Sequence, residues 1–181
     1  VAQDGLDDDC DQLIDEDYLS AGDVVLSEMM IDPDEVSDST GEWIEFFNTT
    51  NQDIPLIGWT VGGTDGDGFT VTDAVVIPAR GYLVFANNAD GSKNGGITAD
   101  FAYNYNDFKL SNDEDDLSLS AGALILSKLN YDEDDIALEE GRSINLDPAY
   151  MKQAYSEDLT YWCMSRSSFG DGDRGTPAVS N

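Results

Sequence analysis

The sequence contains no histidine. That removes the commonest general base and the commonest zinc and copper ligand, and it excludes Ser-His and Cys-His nucleophilic arrangements. Basic residues are scarce: 8 Lys and Arg stand against 38 Asp and Glu, a formal charge of −30. With no basic stripe to displace counterions, a nucleic-acid backbone is not an expected partner. No apolar run reaches the roughly 18 residues of a membrane-spanning helix, so no span is expected. A signal peptide is lacking too, which predicts a mature form, an excised segment or a cytosolic protein. There are only two cysteines, Cys10 and Cys163, near opposite ends. They leave open one long-range disulfide or two free thiols.

What is present is globular. Hydrophobic residues make up 40% and aromatic residues 10% of 181 residues, enough for one full core with a small appendage. Self-repulsion at a charge of −30 opposes compaction. Bound cations, a high-salt environment with short screening lengths, or a plain solubility role each account for it.

Residues 1–21 differ from the rest. Asp4, Asp7, Asp8, Asp9, Asp11, Asp15, Glu16 and Asp17 occur there with no basic residue. A solvated acidic tail is one reading. The order of the acids supports another. Asp7, Asp9 and Asp11 supply oxygens at relative positions 1, 3 and 5 of a loop, the Leu13 carbonyl falls at 7 and Asp15 at 9, the pattern by which a short loop wraps a hard cation. Glu16 or Asp17 would complete a Ca²⁺ shell, and Ile14 would pin the loop to its neighbour.

Residues 22–181 read as short β-runs separated by turn residues. GEWIEFFN, at residues 41–48, is the clearest. Trp43, Glu45 and Phe47 should face one way, and Ile44, Phe46 and Asn48 the other. Further strands are expected at 23–31, 57–61, 69–71, 74–77, 82–86, 108–110, 116–119, 123–128 and 143–146, with a helical turn after Asp147 that has Pro148 at its first position. Strands at this spacing without a long amphipathic helix predict an all-β sandwich or barrel.

Two resemblances sharpen this. DGLDDDCDQLIDE, at residues 4–16, resembles the Asp-rich DGxDNDCDGxxDE repeat of bacterial secreted and surface proteins, and more loosely the thrombospondin type 3 and dockerin calcium loops. It departs from the repeat at Gln3, where a cysteine is usual, and at Gln12, where the turn glycine is usual. Cys10 therefore lacks the partner the repeat implies, which favours pairing with Cys163. The segment 23–31, GEWIEFFN and IPLIGW (54–59) resemble the opening of a lamin-tail domain. VIPARGYLV (76–84), LSN with DLSL (110–119), GRSINLDP (141–148), Trp162-Cys163 and Gly175-Thr176-Pro177 resemble its continuation and close. The resemblance implies an immunoglobulin-like β-sandwich, in bacteria mostly an accessory module on secreted or surface-attached proteins. No coiled-coil rod accompanies it, so a lamin-like filament role is not implied.

Trp43, Trp59 and Trp162 are expected in the core rather than as sugar platforms. Tyr103 and Tyr105 are a candidate exposed aromatic pair, and Asp65-Gly66-Asp67-Gly68 and Asp171-Gly172-Asp173 are candidate second cation turns. Residues 112–116 and 132–135 are expected to be solvated acidic loops. Cys163, after Trp162, fits a buried or disulfide-bonded residue better than a reactive thiolate. The sequon at Asn48 ends a core strand and is not expected to carry glycan. The expected protein is a non-enzymatic, calcium-stabilised, secreted or cell-surface module for adhesion or display, with a surface protein, a glycan or another copy as partner. A subunit of an extracellular filament or surface layer is the alternative, and an accessory domain of a secreted hydrolase the third.

Overall fold

Alternation within GEWIEFFN sets the two faces of the larger sheet. In the computed structural model, which describes residues 18–64 and 66–180, Ile44 and Phe46 point into the main core and Trp43 points to the opposite face. These residues lie on strand β2, Trp43–Asn48. Before it come β1, Val24–Met30, and a single helical turn α1, Asp38–Gly41. After it come β3 Ile54–Pro55, β4 Thr60–Gly62, β5 Gly68–Thr70, β6 Val76–Ile77, β7 Tyr82–Ala86, β8 Phe101–Ala102, β9 Glu114–Ala121, β10 Leu124–Asp132 and β11 Ile144–Leu146. A helical turn α2, Gln153–Ser156, and strand β12, Trp162–Met164, follow.

The six-stranded sheet runs β12-β11-β1-β2-β7-β8, the four-stranded sheet runs β10-β9-β4-β5, and β3 pairs with β6. Only β7 and β8 pair in parallel among these strands. The chain is thus an all-β, immunoglobulin-like sandwich. Leu26, Ile44, Phe46, Leu83, Phe85 and Ile144 share one buried cluster with Val61, Leu117, Leu119 and Leu126 from the smaller sheet and with Trp59, just before β4. Each such side chain contributes roughly 1.5–3 kcal/mol by leaving water. Phe69 closes one end, stacked on Tyr103 at 4.8 Å and edge-on to Phe85 at 5.9 Å and Phe108 at 5.6 Å.

Register shifts between Leu26 and Glu28 and between Ile125 and Ser127 mark a bulge in each sheet. They meet at one corner, where Leu26 N donates to Ser127 Oγ at 2.9 Å and Gly22 N to Leu126 O at 2.8 Å. Bulges increase local twist, which lets strands of two sheets approach there.

Several strand expectations shift. Residues 57–61 begin as a turn, with Gly58 at φ 83° and Trp59 N donating to Leu56 O, so β4 starts only at Thr60. Residues 108–110 form no strand: Phe108 fills the core and Leu110 N donates to the Glu42 carboxyl. The expected turn after Asp147 is present as a 3-10 turn, Pro148–Tyr150, capped by Asp147 accepting from Ala149 N at 2.9 Å. Among the described residues no helix is long and apolar enough to cross a membrane.

Asn48 ends β2 with its amide fully engaged. Nδ2 donates to Gln52 O at 2.7 Å and Ile77 O at 3.2 Å, and Oδ1 accepts from Thr50 N and Thr50 Oγ1 at 2.8 Å each. A buried, four-bonded amide is a fold element, not a glycan acceptor. Asn48→Ala should cost about 2–3 kcal/mol, because backbone groups of two turns lose their partner. Urea unfolding checks this, and a change within about 0.5 kcal/mol would count against it.

Candidate functional site

The outer face of the six-stranded sheet is covered by the last part of the chain. Met30, Trp43, Val84, Ala86 and Ile97 form a second buried cluster there. Phe169 packs edge-on to Trp43, with ring centroids 5.8 Å apart. Beside this apolar patch lie two glutamates that β1 and β2 place in register, Glu28 and Glu45, both fully buried. Strand alternation puts them on the same face as Trp43.

Each carboxyl is held by the C-terminal segment. Glu28 Oε1 accepts from Ser143 Oγ at 2.5 Å and Thr176 N at 2.8 Å, and Oε2 accepts from Thr176 Oγ1 at 2.7 Å. Glu45 Oε2 accepts from Ala178 N at 2.6 Å, and its Oε1 lies 2.7 Å from Ser27 Oγ. Burial pushes the Glu45 carboxyl up to about 8; the Ser27 and Ala178 hydrogen bonds oppose this, and the nearby Glu28 and Asp100 charges add to it. Burial also raises Glu28, against the pull of Ser143 and Thr176. Ser27 Oγ lies within donor reach of both Glu45 Oε1 at 2.7 Å and Glu45 O at 3.1 Å. These carboxyls act as anchors for a strap rather than as groups facing a cleft.

A third buried glutamate, Glu42, precedes β2. Its Oε2 accepts from Leu110 N at 3.1 Å, and burial drives the carboxyl to about 9, helped by Asp38 and Asp115 and opposed by that hydrogen bond and by Lys109. Sequence reasoning foresaw none of these three roles. Their partners lie far along the chain, 148 residues in the case of Thr176 and Glu28, so no local pattern signals them.

The sequence-predicted metal ligands Asp7, Asp9, Asp11, Leu13, Asp15, Glu16 and Asp17 lie outside the described residues, as does Cys10. Of the two further cation turns, Asp65 also lies outside them. In the other, Asp173 is buried and accepts from Asp34 N and Glu35 N, at 3.3 Å each. Among the described residues, no group of three or more acidic or sulfur side chains is arranged to hold a metal ion. The acidic loops are partly structural. Asp116 accepts from Thr64 N at 2.9 Å and Thr64 Oγ1 at 2.6 Å, and Asp115 accepts from Ser111 N at 3.0 Å.

The tryptophans stand where expected: Trp43 and Trp59 are fully buried, and Trp162 is 6% exposed. The exposed tyrosine pair does not form, because Tyr103 is buried in the aromatic cluster around Phe69. Cys163 is not buried but exposed on β12, the edge strand of its sheet, and its disulfide alternative turns on Cys10, outside the described residues. In the register of β12 it alternates with Trp162, which takes the inward position.

A family model described as Lamin Tail Domain matches residues 19–143. No curated protein matches the chain.

Proposed function

The chain belongs to the lamin-tail domain family, and from that premise we propose that it is a non-catalytic interaction module, secreted or displayed at a cell surface and stabilised by calcium. One observation carries the non-catalytic reading. The carboxyls with strongly raised proton affinity, Glu42 and Glu45, are sealed in fold contacts with Leu110, Ser27 and Ala178. A carboxyl that serves as a general acid has to reach substrate, whereas these reach only backbone and hydroxyl groups of their own chain.

Calcium enters this reading through the acidic segment. Asp7, Asp9, Asp11, Asp15 and the Leu13 carbonyl would hold the ion, with Glu16 or Asp17 completing the shell. Binding would neutralise part of the −30 charge and fix residues 1–21 beside the sandwich of residues 22–181. Millimolar Ca²⁺ should raise the melting temperature over that in EDTA. At about 100 times the dissociation constant the gain is about 2.7 kcal/mol, or roughly 5–10 °C for a domain of this size. Asp9→Asn with Asp11→Asn should abolish the shift. An unchanged melting temperature together with no bound metal by mass spectrometry would sink the calcium proposal.

Adhesion or display requires a module that remains monomeric with and without calcium. The filament or surface-layer alternative draws on the exposed edge at β12, since open sheet edges template pairing between copies. Sedimentation at increasing concentration separates the two readings.

A further inference from the structure

Arginine is scarce in this chain and unevenly placed. Of its four arginines, Arg142, Arg166 and Arg174 gather beside β12, the strand that ends the six-stranded sheet. Arg142 and Arg174 are joined by a parallel bridge. Arg142, Met164 and Arg166 line a groove of about 480 Å³, within the usual size of a ligand cleft. The molecule carries 38 Asp and Glu, yet among the described residues the one acid in this lining is Glu139.

The two arginines of the groove are held differently. Three of the five N–H groups of the Arg142 guanidinium are engaged: Nη1 with Glu139 at 2.6 Å, Nε with Ser165 O at 2.9 Å and Nη2 with Met164 O at 3.3 Å. Its side chain is 17% exposed, so the fork is in place before any ligand arrives. Arg166 is exposed, and its side chain makes no ion pair or hydrogen bond among the described residues. A fixed guanidinium with spare N–H groups, next to a free one, suits carboxylates, which accept parallel hydrogen bonds from such a fork.

The backbone of β12 supplies a second signal. Ser165 N donates to Ser143 O, and Asn145 lies opposite Cys163. Antiparallel alternation therefore turns the backbones of Cys163 and Ser165 toward β11 and that of Met164 away from it. The Met164 carbonyl is taken by Arg142, and the Met164 N–H has no partner among the described residues. An unpaired N–H on an edge strand is the point at which a further extended chain joins a sheet.

We propose that this groove binds an extended acidic segment of a partner protein. The segment adds to the sheet at β12, accepts the Met164 N–H through its backbone and sets its carboxylates on Arg142 and Arg166. This rests on the reading of the chain as an interaction module and names the chemistry of its partner. A second copy fits less well, because it brings the same −30 charge to the contact. A short segment brings only its own carboxylates, and acids elsewhere on the surface are damped beyond a Debye length of about 8 Å at physiological salt. A polyuronate carries carboxylates too, but it cannot extend a sheet.

Calcium plays no part in the contact, so the test is run in EDTA. Its failure is then distinct from failure of the module reading, which the calcium and sedimentation measurements address. Fluorescence anisotropy follows a labelled octapeptide of alternating Glu and Val against the full chain, with the Gln-Val octapeptide as the uncharged comparison. The Glu-Val peptide is expected to bind about tenfold more tightly than the Gln-Val one. Arg166 is exposed, so its variants should fold as the parent does. Arg166→Gln should weaken binding about threefold and Arg166→Glu about tenfold. Arg80→Glu makes the same charge change before β7, with β11, β1 and β2 between it and the groove, and should leave binding within about twofold. Saturating peptide should slow hydrogen exchange at the Met164 amide about tenfold. Equal binding of the two peptides, an equal loss in Arg80→Glu, an unprotected Met164 amide, tighter capture of oligogalacturonate than of peptide, or self-association of the chain in place of peptide binding would each overturn the proposal.

Discussion

Lowering the pH from 9 to 5 is expected to stabilise this protein, against the usual trend for a fold rich in ionised carboxylates. In the folded state Glu45 holds its proton up to about 8 and Glu42 up to about 9, both from an ordinary value of 4.5 and both chiefly through burial. In the unfolded chain both ionise above that ordinary value. Between the two values the unfolded state gives up protons that the folded state keeps, so rising pH favours unfolding. Their contribution is whole below about pH 4.5 and is lost as pH climbs to about 8 for Glu45 and about 9 for Glu42. For Glu45 the difference corresponds to an upper bound of about 5 kcal/mol. The groups facing them act in the same direction: Glu28 and Asp100 beside Glu45, Asp38 and Asp115 beside Glu42, with Lys109 the one opposing charge. Repulsion among the surface acids also eases as they protonate, so the decisive comparison is with variants. Glu45→Gln keeps an acceptor for Ala178 N–H and a donor for Ser27 Oγ. With Glu42→Gln it should flatten the melting-temperature profile between pH 5 and 9 and raise the melting temperature at pH 8 by about 10 °C. A double variant with the parent's slope would refute the assignment.

Removing residues 173–181 is expected to unfold most of the population at 25 °C. The deletion strips Thr176 from Glu28 and Ala178 from Glu45, so both carboxyls lose hydrogen bonds from the strap. Each hydrogen bond lost to a carboxyl costs about 1–3 kcal/mol. Loss of Asp173 frees the turn at Asp34 and Glu35 and removes the hydrogen bond from Phe169 N to Asp173 O. Phe169 then loses its seat on Trp43, which uncovers the second apolar cluster. The sum approaches the whole stability of a typical domain, about 5–15 kcal/mol. Thr176→Val is the gentler control. It removes one hydroxyl from Glu28 and keeps the backbone donor, so it should cost about 1–3 kcal/mol. Circular dichroism and urea midpoints report both. A truncated chain with the parent's midpoint would show that the strap is an ornament of the fold rather than part of it.

The face assignment within GEWIEFFN was legible because strand alternation is strict. The same periodicity placed Ile44 and Phe46 in the core and Trp43 on the other side. Strands β3, β8 and β12 span two or three residues and are too short to show a period, so they escaped notice. Phe108 to Leu110 read as a strand because apolar residues surround a lysine; in the structure a carboxyl, not a neighbouring strand, takes the Leu110 N–H. The charge surplus drew attention to exposed acids, while the acids that shape the fold are those without exposure. Nothing in Glu28, Glu42 or Glu45 distinguishes them locally from the other acids in the chain. Burial is conferred by segments that arrive later. For Cys163 the neighbouring tryptophan suggested burial, yet alternation along β12 turns the cysteine out as it turns Trp162 in.

The C-terminal strap has a further meaning during synthesis. As the chain emerges from a ribosome, β1 and β2 are made early, whereas the residues that cover Glu28 and Glu45 follow 148 and 133 residues later. Until then both carboxyls face water and are ionised at neutral pH. The unfinished sheet therefore carries two negative charges on the face where Met30, Trp43 and Val84 would otherwise invite aggregation. Proton uptake by Glu45 marks the arrival of the strap, so a group that burdens the finished fold protects the nascent one.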